Sequence, residues 1–339
     1  MKNFATWITA LMATAPLTLA IPRPSVSSLR KKADAEKVGY LGVYWTTDDE
    51  SVYFALSDND NPLAFETANG GKSVLSPTLG SKAIRDASII AGVGDDAGKY
   101  YIIGTDLDIG STNWGDAVRT GSRGIFVWES TDLVNWTDER LVTVEDETAG
   151  MVWAPDAVWD ASQEQYLVHW ASQFYATDDS DHSGDPTTSQ IIRYAYTSDF
   201  RTFGEPKTYI NHQTSTVIDL AFLSVDDDTF VRFYVDGNTT SPVVEVSNDG
   251  LFGEWTVPTG SVRDSASYEG PYAFWDNKEE GKAYLLCDRV GETPGIAAWE
   301  STDVTSGEFA RDSSSDLTFM RHGSVLAVTQ EQYDALSNL

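Results

Sequence analysis

The sequence predicts an all-β fold, a five-bladed β-propeller of four-stranded blades, and three observations carry that prediction. From Gly39 onward, short β-rich runs follow one another with almost no helical periodicity. One sequence pattern recurs five times along the chain. The segment after Gly39 lacks one strand of a blade, and the C-terminal segment supplies one.

The runs include Tyr40–Thr46, Val52–Leu56, Lys99–Gly104, Gly124–Trp128, Gln165–Trp170, Phe230–Val235, Val243–Val246 and Lys282–Cys287, and Asp, Asn and Gly interrupt them. The recurring pattern is an apolar strand, a Ser/Asp/Asn turn, and an aromatic residue a little further on. Its serines are Ser57, Ser130, Ser198, Ser247 and Ser301, and the aromatics are Phe65, Trp136, Phe203, Trp255 and Phe309. Asp and Asn side chains fold back on their own backbone, so such a turn suits the hairpin between the two outer strands of a blade. Radial repetition of small sheets leaves no long unpaired edge.

The blades follow in order. The first spans about 85–144, the second 153–209, the third 217–257 and the fourth 267–312. Residues 39–68 hold three strands of the last blade, and 320–329 hold its fourth, so pairing of the two chain ends closes the ring. The polar tail 330–339 reads as a turn or short helix.

The first twenty residues stand outside this pattern. Lys2, the mostly apolar stretch Phe4–Leu19 and the small residues Thr18 and Ala20 read as a secretory signal peptide cut after Ala20. Residues 21–38 read as a loose arm, and 39–339 as a single domain. Cys287 is the one cysteine and lies in an apolar run, so it reads as a buried, inert thiol.

With Lys+Arg 23 against Asp+Glu 52, the net charge is −29. Such a surface repels nucleic-acid phosphates and anionic lipids, which leaves a neutral substrate, and neither nucleic acid nor membrane is an expected partner. The expected product is a secreted monomer that requires no cofactor.

In a propeller, the innermost strand of each blade lines the central channel. Taken at one position near the start of each such strand, the five predicted blades give Asp86, Asp156, Asp219, Glu269 and His322. Any one aspartate there is an ordinary turn former. Their convergence on one channel mouth is the signal, because gathered like charges oppose joint ionisation and stability alone does not favour them. Glu269 stands out, in Tyr-Glu-Gly-Pro ahead of an apolar run. Carboxyl groups with separated proton affinities are the equipment of glycosidic bond cleavage: one gives a proton to the leaving oxygen, another activates water.

The same motifs resemble glycoside hydrolase family 43, the arabinanase, arabinofuranosidase and β-xylosidase family, over nearly all of 39–336. They are Arg85-Asp86-Ala-Ser-Ile-Ile, the strand Lys99–Asp106, Ser130-Thr-Asp-Leu-Val-Asn-Trp136, Trp153-Ala-Pro-Asp156, Ile218-Asp219, Tyr268-Glu-Gly-Pro271 and Arg321-His-Gly323. The resemblance implies a five-bladed propeller acting with inversion, with Asp86 as general base, Asp219 as the aspartate that raises the acid's pKa, and Glu269 as general acid. It implies a sugar-binding role for Asp156. Arg85, beside Asp86, Arg321, beside His322, and Trp153 and Trp114 are the remaining candidates for substrate binding. It also implies that His322 contacts a structural calcium in the channel through water. Ala87 after the base and Leu220 after Asp219 depart from the family's pattern. The substrate is expected to be a neutral plant cell-wall polysaccharide or oligosaccharide with α-L-arabinofuranosyl linkages (arabinan, arabinoxylan) or β-xylosides.

Two polar connections, 107–123 and 172–190, flank the same mouth. The second holds Asp178, Asp179, Asp181, His182 and Asp185 without the spacing of a calcium loop, and reads as solvated. Asn135-Trp-Thr and Asn238-Thr-Thr are glycosylation sequons. The alternative reading is a non-catalytic carbohydrate-binding propeller. That fold would repeat its binding residues from blade to blade, whereas here they differ. A retaining fructosidase-type propeller would need an Asn-Asp-Pro motif, which 39–84 lack.

Overall fold

The computed structural model describes residues 36–339 apart from 240, 263–265 and 292–293; the signal-peptide and arm expectations lie almost wholly outside the described residues. The chain enters as β1 (Lys37–Trp45), two residues earlier than Gly39, followed by β2 (Tyr53–Asp58) and β3 (Glu66–Thr67). The first blade is β4 (Ile84–Ala91), β5 (Tyr100–Asp106), β6 (Gly124–Ser130) and β7 (Trp136–Thr143), with helix α1 (Trp114–Thr120) between β5 and β6. The second is β8 (Trp153–Asp160), β9 (Gln165–Ser172), β10 (Ile191–Thr197) and β11 (Lys207–Ile210). The third is β12 (Val217–Ser224), β13 (Phe230–Asp236) and β14 (Val243–Ser247). The fourth is β15 (Tyr268–Trp275), β16 (Ala283–Arg289), β17 (Ile296–Ser301) and β18 (Ala310–Leu317). Finally β19 (Arg321–Thr329) pairs antiparallel with β1, from Tyr40 opposite Ala327 to Val43 opposite Ser324, and helix α2 (Gln330–Ser337) follows.

The result is the five-bladed propeller closed by its two ends. It departs from the sequence reading in detail. The outer edge of the third blade shrinks to one bridge, Val246 to Thr256, with Pro258, which has no N–H to give a ladder, two residues beyond it. The fourth blade runs on to Leu317. The connection 107–123 is not loop throughout but contains α1, capped by the Asn113 side chain on the Asp116 N–H.

The five-fold turn survives with one change of residue. Ser57, Ser130, Ser247 and Ser301 are buried at the ends of the third strands, and each hydroxyl binds turn backbone. In the second blade Thr197 does this, accepting from Phe200 N at 3.0 Å, while Ser198 is exposed. Ser and Thr hydroxyls bind turn backbone in the same way, so the neighbouring residue could take over the role.

Each inter-blade seam is an apolar cluster of its own. Tyr101, Tyr166, Trp170 and Phe200 join the first and second blades, and Phe54, Ile89, Phe126 and Trp128 join the last and first. Side chains from both faces of every sheet are thus buried, each large one contributing on the order of 2–3 kcal/mol. Cys287 is among them, and its buried thiol is pushed well above the ordinary range. Among the described residues no helix is long and apolar enough to cross a membrane.

Candidate active site

All five inner strands carry a β-bulge at the same place. In β4 the register steps from Arg85–Thr105 to Ser88–Ile103, so two residues face one. The same step follows Trp153 in β8, Ile218 in β12, Glu269 in β15 and Arg321 in β19. The residue that opens the bulge has positive φ in four of the five: Asp86 at 53°, Ala154 at 47°, Asp219 at 55° and Gly270 at 53°. A bulge re-aims side chains, which is why it recurs beside active sites.

The bulges sort the residues into tiers. Arg85, Trp153, Ile218, Glu269 and Arg321 form the upper one, and all five line a cavity of about 470 Å³ at the channel mouth. Asp86, Asp219 and His322 form the tier beneath and also line it. Ser88, Asp156, Ala221, Tyr272 and Ser324 form the lowest and surround a narrow passage below. The sequence reading put Asp86, Asp156, Asp219, Glu269 and His322 in one register. Glu269 in fact stands one tier up and Asp156 one tier down, because the bulge shifts strands that look alike in sequence. Asp156 therefore does not line the cavity. It accepts from Ser88 Oγ at 2.5 Å, and burial raises it to about 6.

Asp86, Asp219, Glu269, Arg85, Trp114, Trp153, Arg321 and His322 do meet in the cavity. Asp86 takes Thr105 Oγ1 at 2.8 Å, and its Oδ1 lies 3.2 Å from His322 Nδ1. Burial would raise Asp86, but the hydrogen bond and charge of His322 outweigh it and hold the carboxyl below its ordinary value. For His322, burial opposes the charged form, yet Asp86 and the other carboxylates lift it to about 9. Glu269 moves the other way. Burial first, then the charges of Asp219 and Asp288, push it up to about 7. Asp219 is buried, accepts from Gly270 N at 2.9 Å, and is itself raised, chiefly by burial. Gly270 has no substitute here, since a Cβ would sit 2.4 Å from the His322 ring.

One wall is a ladder of rings and cations. The Arg85 guanidinium lies 4.1 Å over Trp45 and 5.0 Å over Trp114, and Arg321 lies 5.1 Å over Trp45. Trp114 is 56% exposed at the outer end and meets Trp153 edge-on at 5.9 Å. Glu50 balances Arg85 at 3.4 Å.

Sequence reasoning did not single out Asp288, Gln190, Leu107, Val290 or Gly291. Asp288 was legible only through its partner. It ends the run Ala283–Cys287, and once that strand pairs with β15 it stands opposite Glu269. The loop aspartates 178–185 lie away from the cavity, and His182 there is buried, stacked on Tyr175 at 4.3 Å. Both sequon asparagines are exposed, though Asn135 Nδ2 already donates to Asp132 at 2.8 Å, and Thr240 of the Asn238 sequon lies outside the described residues.

A family model described as a probable glycosyl hydrolase domain, related to family 43, matches residues 36–334. The chain belongs to this family 43-related group of glycosyl hydrolases. The matched span takes in every residue of the cavity. An α-L-arabinofuranosidase of Bifidobacterium longum is 33% identical over 199 residues, covering 54% of this chain but only 18% of that much longer protein. Among solved structures, an exo-β-1,3-galactanase from Clostridium thermocellum superposes with a TM-score of 0.48 at 13% identity, covering 72% of this chain and 50% of the other. The catalytic domain of a Coprinopsis cinerea family 62 α-L-arabinofuranosidase gives 0.49 at 14% identity, covering 72% and 74%.

The calcium that the resemblance implies would be met by His322 through water, not by direct ligation. Among the described residues no three His, Cys, Asp or Glu groups are arranged to hold a metal, and His322 Nδ1 faces Asp86. Held near pH 9, the His322 imidazolium itself supplies a positive charge there.

Proposed function

We propose that this chain is a secreted glycoside hydrolase that cleaves its substrate with inversion, with Glu269 as general acid, Asp86 as general base and Asp219 as the charge that keeps Glu269 protonated. One observation carries the reading. Two carboxyl groups lining one cavity are displaced in opposite directions, Asp86 down and Glu269 up to about 7. A protonated acid and an ionised base coexist at neutral pH only when their surroundings differ in this way.

In the reaction, Glu269 gives its proton to the glycosidic oxygen as the bond to the anomeric carbon breaks. Asp86 takes a proton from the water that attacks that carbon from the opposite face. The cycle leaves Glu269 ionised and Asp86 protonated, and exchange with solvent restores both. His322 steadies Asp86 as the anion between turnovers. Arg85 and Arg321 are each paired, with Glu50 and Asp288, so the cavity offers donors without surplus positive charge and suits a neutral sugar. Trp153 and Trp114 supply ring faces.

The substrate class we assign is plant cell-wall carbohydrate, with α-L-arabinofuranosyl linkages ahead of β-xylosides. The likeness to the named arabinofuranosidase supports that order. Secretion rests on the segment 1–20, and N-terminal sequencing of exported protein should begin at Ile21. A panel of aryl α-L-arabinofuranosides, β-D-xylosides and galactofuranosides with debranched arabinan tests the substrate, and proton NMR of the first-formed anomer tests inversion. Glu269→Gln should lower turnover on the preferred substrate by on the order of 10²–10⁴. Full activity of that variant, or no turnover of any glycoside by the native chain, overturns the proposal.

A further inference from the structure

Asp288 is the buried carboxylate of the cavity that the reaction above leaves without a task. It is 4% exposed. Both of its oxygens accept from Arg321 Nε at 2.9 Å, and Oδ2 also takes the His322 N–H at 3.3 Å. Arg321 then reaches Thr47 Oγ1 at 3.0 Å and lies over Trp45. Asp288 thus ties β16 to β19 and to the β1–β2 connection. It is also directly opposite Glu269 across the β15–β16 pair.

Two facts speak against a role in stability alone. Directly opposed like charges destabilise a sheet. A buried ion pair is often no better for stability than apolar residues of the same shape. The cost is borne at the position directly across the β15–β16 pair from Glu269, on a different strand from Asp219.

We propose that Asp288 is a positioning residue of the catalytic site, fixing Arg321 on the cavity wall and keeping the proton on Glu269 by its charge. This rests on the reading of Glu269 as the acid. The charged groups that act on Glu269 are Asp219 from β12, Asp288 from β16, His322 from β19 and Asp86 from β4. Asp288 itself is raised, first by burial, while Arg321 and His322 hold it back toward the anion.

The test follows the Glu269 carboxyl carbon by NMR in full-length protein carrying ¹³C-carboxyl glutamate, with the resonance assigned by its loss in Glu269→Gln. In the native protein it should titrate near neutrality. In Asp288→Asn it should titrate about one pH unit lower, the usual effect of one neighbouring charge. The basic limb of kcat/KM should move with it, while Asp288→Glu should keep the limb in place. If Asp288→Asn does not fold, the double variant Asp288→Asn with Arg321→Gln leaves a neutral pair in place of an unpaired cation, and the same downward move is expected. If native Glu269 titrates as an ordinary glutamate, the acid assignment fails and this inference with it. If native Glu269 is raised but neither variant moves it, the acid assignment stands and only the role of Asp288 is overturned. A rise in KM without a move of the limb overturns the charge role and leaves Asp288 only fixing Arg321.

Discussion

Asp219→Asn separates charge from shape more cleanly than any other change in this site. The amide oxygen can still accept from Gly270 N, which Asp219 Oδ2 now does at 2.9 Å. Asn also tolerates the left-handed backbone that position 219 adopts, φ 55°. The fold should therefore be kept and one negative charge lost. Glu269 stands at about 7 against an ordinary 4.5, and burial is the larger cause, so Asp219 accounts for only part of the rise. A share of about one pH unit corresponds to ~1.4 kcal/mol and leaves Glu269 near pH 6. A group at about 7 is half protonated at pH 7, and one at about 6 is protonated only about a tenth of the time. The expected result is a basic limb of kcat/KM moved down by about one pH unit and a roughly fivefold loss at pH 7. The acidic limb belongs to Asp86 and should move little. Dinitrophenyl glycosides, whose leaving group needs no proton, should be nearly spared. A pH–rate profile on both substrate types decides the matter. An unmoved basic limb, or equal loss on both substrates, would refute the reasoning and leave Asp219 as the residue that holds the bulge.

Further outcomes follow from the same geometry. Gly270→Ala should cost about 1–3 kcal/mol in urea unfolding, from left-handed strain at φ 53° and a Cβ against the His322 ring, and should lose activity with it. His322 is raised from 6.5 to about 9, so its pairing with Asp86 stabilises the fold fully below pH ~6.5 and ceases to do so as pH rises through about 9. In a series of melting curves, His322→Gln should remove the loss of Tm across that window, and a native Tm flat from pH 6.5 to 9 would refute the pairing. Trp114→Ala should leave Tm unchanged, since the ring is 56% exposed, and should raise KM roughly fivefold with kcat little altered, about 1 kcal/mol of stacking.

The sequence by itself determined the ring. Turn chemistry is local: Asp132 Oδ1 binds the amides of Val134 and Asn135, and Asp199 Oδ1 binds those of Arg201 and Thr202, so each repeat announces itself within a few residues. The missing strand of the first segment and the spare one of the last could be matched by counting. That Asp86, Asp219 and Glu269 meet in one cavity was legible, because all three stand where the inner strands begin. The tertiary structure decided the tiers. A bulge adds one residue to one strand, leaves no mark in composition or periodicity, and moves Asp156 out of the site and Glu269 above its neighbours. It also decided what enters from elsewhere. Asp288 faces Glu269 through a cross-strand register, and Trp45 meets Arg85 and Arg321 across two blades. Glu269 and Asp288 come from consecutive strands of one blade and Trp45 and Arg321 from opposite ends of the chain, so none of these contacts is local and the last needs the closed ring.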